Sequence, residues 1–163
     1  GAQTNLALMY KNGQGKAQDF SQALYWYRLA ASQGDALGQT GLAVMFERGQ
    51  GVAKNLQEAL FWYQRAADQG SALAQYNLGL IYAKGQGVKP NPVLAYALWS
   101  VSAAGDPSHE NPANAHRMEL AESFPPKVLE AAQRLAAELD KPGNLLKGLN
   151  AFLKNPAAAE KTK

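Results

Sequence analysis

Cysteine is absent from the 163 residues. That excludes a disulfide framework and any thiolate metal site, and it leaves the compartment open. No apolar run reaches the ~18 residues a membrane-spanning helix requires, so no such span is expected. Lysine and arginine never stand side by side, and the formal charge is only +3. A nucleic-acid footprint needs clustered cations, and the sequence offers none. Histidine is almost missing. His109 and His116 are not the i, i+4 pair of a helical metal site. His116 and Glu119 could share a helix face as half of a carboxylate-bridged centre, but there is no second half. Both histidines are expected to be solvated or to cap a helix, and no metal or other cofactor is implied. β-Branched residues are few beside alanine and leucine, a composition that leans to helix.

What the chain does have is a repeat. Gly13-Gln14-Gly15, Gly49-Gln50-Gly51 and Gly85-Gln86-Gly87 are spaced by 36 residues each time. Residues 2–35 laid on 38–71 agree at 17 of 34 positions, which marks an array of stacked units rather than one irregular domain. The units are expected at about 1–34, 35–70 and 71–105. Each reads as two helices. Gly38, Leu42, Met45 and Phe46 fall on one helix face, and the glycines then stop the helix. The second helix starts at a cap: Asp19 before Gln22, Asn55 before Glu58, Asn91 before Pro92. It buries Ala59, Trp62, Tyr63, Ala66 and Ala67. Trp26, Trp62 and Trp99 are expected at one recurrent core position, one residue late in the third unit. Ser71 or Asp35 opens the next unit. Such a pair cannot bury its apolar face alone, so stacking into a solenoid is expected.

Beyond residue 105 the pattern loosens. Helices are expected over about 111–124, 126–139 and 144–153. The first two would form a degenerate fourth pair. The last would be a cap with Leu145, Leu146, Leu149, Phe152 and Leu153 on one side, docking to a partner or a second copy being the alternative. Residues 154–163 are expected to be a disordered tail.

No catalytic set can be assembled. The Gly-Gln-Gly segments follow helices and no strand, so they are turns rather than phosphate loops. Ser100 and Ser102 lack a Gly-x-Ser-x-Gly elbow, and Glu119/Glu122 form an exposed acidic pair. The chain is expected not to be an enzyme.

The recurring pattern A-x-x-x-L-G/A-x-M-Y/F-x-x-G-x-G-V, followed by A-x-x-W-Y-x-x-A-A-x-Q-G, resembles Sel1-like repeats, which are related to the tetratricopeptide repeat. The resemblance covers residues 2–105. It implies an all-α fold, a right-handed α/α superhelix, and an adaptor role in protein complexes, many of them bacterial and in the cell envelope or secreted. A cysteine-rich branch binds β-lactams; with no cysteine here, that activity is not carried over. In the related arrays the first helix of each pair lines a concave groove. Carried across, the partner-binding stripe is Thr4, Asn5, Leu8, Lys11 and Asn12; then Leu37, Thr40, Gly41, Val44, Glu47 and Arg48; then Leu73, Tyr76, Asn77, Leu80 and Lys84. Ordinary solvated helix faces are the alternative reading. The implied partner is another protein or a peptide, held without catalysis, with a monomer favoured. Regulation of a cell-envelope enzyme, or binding of a wall fragment, is the second possibility. RNA binding by helical repeats is disfavoured by the small charge. The first residue is Gly, inside a repeat, so the chain reads as processed or trimmed. A targeting signal would lie in the missing part, and the resemblance implies the periplasm, envelope or exterior.

Overall fold

Turn glycines and side-chain caps cut the chain into helices of similar length. The computed structural model describes residues 1–156. Within them lie α1 (Ala2–Asn12), α2 (Phe20–Ser32), α3 (Ala36–Arg48), α4 (Leu56–Asp68), α5 (Ala72–Lys84), α6 (Pro92–Gly105), α7 (Ala113–Glu122), α8 (Pro126–Leu139) and α9 (Leu145–Lys154), and no strand among the described residues. The expected disordered tail falls mostly outside the described residues. Lys154, placed in it, is instead the last residue of α9.

The stop signals act as the sequence suggests. α3 ends at Gly49, whose φ of 67° is left-handed, and the Gly49 N–H reaches the Met45 carbonyl. Gly51 (φ 70°) has a second reason to lack a side chain: a Cβ there would lie 2.7 Å from the Phe20 carbonyl oxygen. The start signals are equally local. Asp19 Oδ1 accepts from the Gln22 N–H at 3.1 Å, Asn55 Oδ1 from Gln57 and Glu58 at 3.1 Å, and Asn91 Oδ1 from Leu94 at 3.0 Å. Ser71 Oγ accepts from the Ala74 N–H at 3.2 Å. A cap of this kind contributes about 1 kcal/mol. Asp35 holds the matching position before α3, but its carboxylate accepts the Thr4 hydroxyl of α1.

Two compact units are present, Gly1–Ala66 and the chain from Ala67 onward. In the first, α1 packs on α2, α2 on α3, and α1 along α3. Small residues set the spacing. A Cβ on Gly38 would come within 2.6 Å of the Ala30 Cβ, and one on Gly41 would overlap the Tyr27 ring. Tyr63 is fully buried, and its hydroxyl donates to Glu47 at 2.6 Å, tying α4 to α3.

In the second unit α6 is the centre, packed by α5, α7 and α8. Leu94 through Trp99 are all buried. The Trp99 Nε1–H donates to the Tyr76 carbonyl at 3.1 Å, and its ring occupies the space a Cβ on Gly79 would need. Ser102, considered above for chemistry, is buried and structural. Its hydroxyl donates to the Ala72 carbonyl at 2.7 Å and accepts from Asn111 Nδ2 at 3.1 Å. α9 buries Leu145, Leu149 and Phe152 and packs on α8. The Leu146 N–H in its first turn donates to Asp68 Oδ1 at 3.0 Å.

The tryptophans correct one expectation. The buried recurrent position is that of Tyr27, Tyr63 and Trp99; Trp26 and Trp62 are only half-buried beside it. Trp26 and Trp62 instead take edge contacts from Tyr25 and Phe61, with ring centroids 5.1 and 5.0 Å apart. Trp99 is therefore not a late tryptophan. It is a tyrosine position filled by tryptophan, and Leu98 stands where Trp26 and Trp62 do.

Candidate partner-binding faces

Helical geometry returns to the same face every three or four residues. In the first unit this brings Leu37, Gly41, Val44 and Arg48 into one row on α3, and Asn5, Leu8 and Asn12 into one row on α1. Leu8 is 41% exposed and Leu37 60%. Asn5, Asn12 and Arg48 are also exposed, and Val44 is half-buried. Gly41 departs from the asparagine of Asn5 and Asn77 for a visible reason: the Tyr27 ring fills that space.

Two members of the expected stripe turn inward. Thr40 is buried, its hydroxyl donating to the Ala36 carbonyl at 2.8 Å. Thr4 is buried as well and bonds Asp35. Their small polar side chains satisfy themselves on nearby groups, so the helix accepts them on its inner side. This corrects the assignment of Thr40 and Thr4 to a partner-facing row. The Asp35 carboxyl is affected by its surroundings. Burial pushes it up, but hydrogen bonds from the Thr4 hydroxyl and from the Gly38 and Leu37 backbone N–H groups hold it below the ordinary carboxylate range.

In the second unit Leu73 is 55% exposed and Lys84 is exposed, with Asn77 and Leu80 half-buried on the same α5 face. Tyr76, at the repeat position of Thr4 and Thr40, is partly taken. The His116 ring of α7 stacks on it at 5.6 Å and tilts against Trp99 at 5.1 Å. His116 is thus neither solvated nor a helix cap, and it serves as a flat packing element. Among the described residues no group of three or more histidines or carboxylates is placed to hold a metal ion. No helix among them is long and apolar enough to cross a membrane.

One feature went unread in the sequence. α8 and α9 leave an open, mainly apolar groove of about 540 Å³, lined by Ala131, Leu135, Gly148, Ala151 and Phe152, with Arg134 and Lys147 at its edge. The signal was available, since Gly148 and Ala151 put small residues on the apolar side of α9.

Comparison with known proteins bears on these faces. The Sel1 repeat model matches residues 1–35, 36–71 and 72–106. The chain belongs to the Sel1 repeat family. Repeats of this family are generally protein-interaction scaffolds without catalysis. Among solved structures, a protective antigen present in uropathogenic Escherichia coli strains, displaying an SLR fold, is 28% identical with a TM-score of 0.80. The alignment covers 94% of this chain and 32% of the antigen, so the chain spans about a third of that protein's length. A Sel1 repeat protein from Oxalobacter formigenes is 37% identical with a TM-score of 0.62, over 72% of this chain and 86% of that one. No curated protein matches. The all-α Sel1 repeat fold is therefore established, and both structural relatives are bacterial.

Proposed function

We propose that this chain is a non-catalytic interaction module that holds a partner protein or peptide on the exposed faces of the first helices of its repeats. One observation carries the reading. Leu37 and Leu73 stand at the same repeat position and are both more than half exposed. A leucine left in water once is ordinary; the same leucine left out twice, in a row with polar side chains, suits recognition of an extended segment. The faces proposed are Asn5, Leu8 and Asn12 on α1 with Leu37, Val44 and Arg48 on α3 in the first unit, and, taken separately, Leu73, Asn77, Leu80 and Lys84 on α5 in the second, with Tyr76 at the margin of the α5 face. α7 and α8 are read as a degenerate fourth pair closed by α9. An envelope or secreted location is proposed, in keeping with the antigen among its structural relatives.

The test is capture of partners from the source cells by the immobilised chain. Leu37→Asp and Leu73→Asp should remove captured bands that Tyr25→Asp, an exposed site outside the row, leaves in place. Capture unchanged by both leucine substitutions would defeat the assignment.

A further inference from the structure

Charge is distributed unevenly in the Gly1–Ala66 unit. Its cations are Lys11, Lys16, Arg28, Arg48, Lys54 and Arg65, and its carboxylates are Asp19, Asp35, Glu47 and Glu58. Three cations lie over rings: Lys16 over Tyr10 at 5.4 Å, Arg28 over Phe46 at 5.9 Å, and Arg65 over Phe61 at 4.5 Å. The carboxylates are committed elsewhere. Asp19 caps α2. Asp35 takes the Thr4 hydroxyl and lies 3.8 Å from the amino terminus. Glu47, next to Arg48 in the chain, accepts the Tyr63 hydroxyl. Glu58 sits in the exposed first turn of α4, where the helix dipole favours a negative charge.

Lys11 and Arg48 receive none of them. They occupy the last turns of α1 and α3, two helices that pack along each other. Neither forms an ion pair among the described residues. Lys11 is half-buried, and its ammonium is held below the usual lysine range by burial and then by the charge of Arg48. A helix C-terminus favours a basic residue, which accounts for each cation taken singly. It does not account for two cations at the matching ends of packed helices, one of them partly desolvated and neither ion-paired among the described residues. Like charges held together raise the free energy of the empty protein and are relieved when an anion arrives. Apolar side chains stand one turn back on the same faces, Leu8 before Lys11 and Val44 before Arg48.

We propose that the α1/α3 face takes an acidic segment of an extended peptide, whose Asp or Glu carboxylate sits between the Lys11 ammonium and the Arg48 guanidinium. Arginine offers a planar fork to the carboxylate and lysine a point charge, so the two are complementary rather than redundant. In an extended strand, side chains two apart share a face about 7 Å apart. One helical turn is about 5.4 Å. With the acidic segment running along these two helices, the residue two positions from the acid comes next to Leu8 and Val44, and it should be apolar. This inference rests on the interaction-module reading and narrows it to a class of partner.

The test is selection from a library of random 12-residue peptides flanked by linker at both ends, so that no free carboxyl terminus is offered. Enriched peptides should pair Asp or Glu with an apolar residue two positions away. An amidated synthetic copy should bind the Lys11→Gln/Arg48→Gln double variant about tenfold more weakly, as two surface charge contacts allow. Its binding to the parent should also weaken between about 50 and about 500 mM NaCl, as the Debye length shrinks from roughly 14 to about 4 Å. Replacing the peptide's acid by its amide should cost the same, with no additional loss in the double variant. Thermal melting checks folding: the two helix-end charges lost are offset by the repulsion relieved, so the variant should melt close to the parent. Enrichment without acidic residues, or equal binding by the double variant, would overturn the inference. If those peptides still depended on Leu37, the interaction-module reading would stand alone; if they were insensitive to every stripe substitution, both would fall. Loss of single-stranded DNA retention in the variant, without acidic peptide selection, would assign the pair to phosphates instead and also overturn it.

Discussion

α2 and α6 are the same helix of the repeat in two surroundings. In α2, Gln22 and Tyr25 face water, Tyr25 being 58% exposed. At the equivalent places α6 has Leu94 and Ala97, both fully buried. The difference follows from what packs around each helix. α2 meets α1 and α3, whereas α6 is enclosed by α5, α7 and α8. A helix apolar on one face is a surface helix; one apolar all round is interior. Thus a repeat position is not a fixed environment. Tyr25 becomes Ala97 because a ring has no room there, and Trp26 becomes Leu98 because no half-open edge remains.

Breaking the comparison at its largest point means cutting the inward ring. Trp99→Ala should cost about 3–5 kcal/mol, and Trp26→Ala clearly less, because only the former empties a closed site. Urea unfolding of both variants checks this, and equal losses would remove the distinction between the two positions. An intermediate effect comes from transplanting one environment's residue into the other. Ala97→Tyr should destabilise by about 1–3 kcal/mol through overpacking, while Tyr25→Ala should lower the melting temperature only slightly. The smallest effect is a pH dependence carried by Asp35 in the first unit. The Asp35 carboxyl is held down in the folded chain, so the unfolded chain binds the proton more readily. Its contribution is fully present above the unfolded value near 3.8 and is lost as pH falls through the lower folded value. Melting below pH 4 should therefore be steeper in the parent than in Asp35→Asn.

Much of this was legible in the sequence because it is governed locally. A glycine after a helix, or an aspartate three residues before a glutamine, acts through its own backbone neighbours. The choice between Trp26 and Tyr27 is not local. Both fall near the stripe of Ala23, Ala30 and Ala31, and only the space left by Gly41 decides that Tyr27 goes in. Thr40 belongs to the partner-facing stripe that the resemblance implies, yet it is buried with its hydroxyl bonded to its own helix. His116 was read for its nitrogens, whereas the fold uses its flat faces against Tyr76 and Trp99. Taken helix by helix, Asn5, Leu8 and Asn12 on α1, Leu37 and Arg48 on α3, and Leu73 and Lys84 on α5 are exposed, whereas Thr4 and Thr40 are buried.

The most direct test of the interaction-module account is site-specific photo-crosslinking in the source cells. A photoreactive residue would be placed in turn at Leu37, Leu73, Tyr25 and Met118, all of them exposed apolar sites. The account predicts a discrete adduct from positions 37 and 73 and none from 25 and 118. Adducts from 25 or 118 alone, with none from 37 and 73, would contradict it.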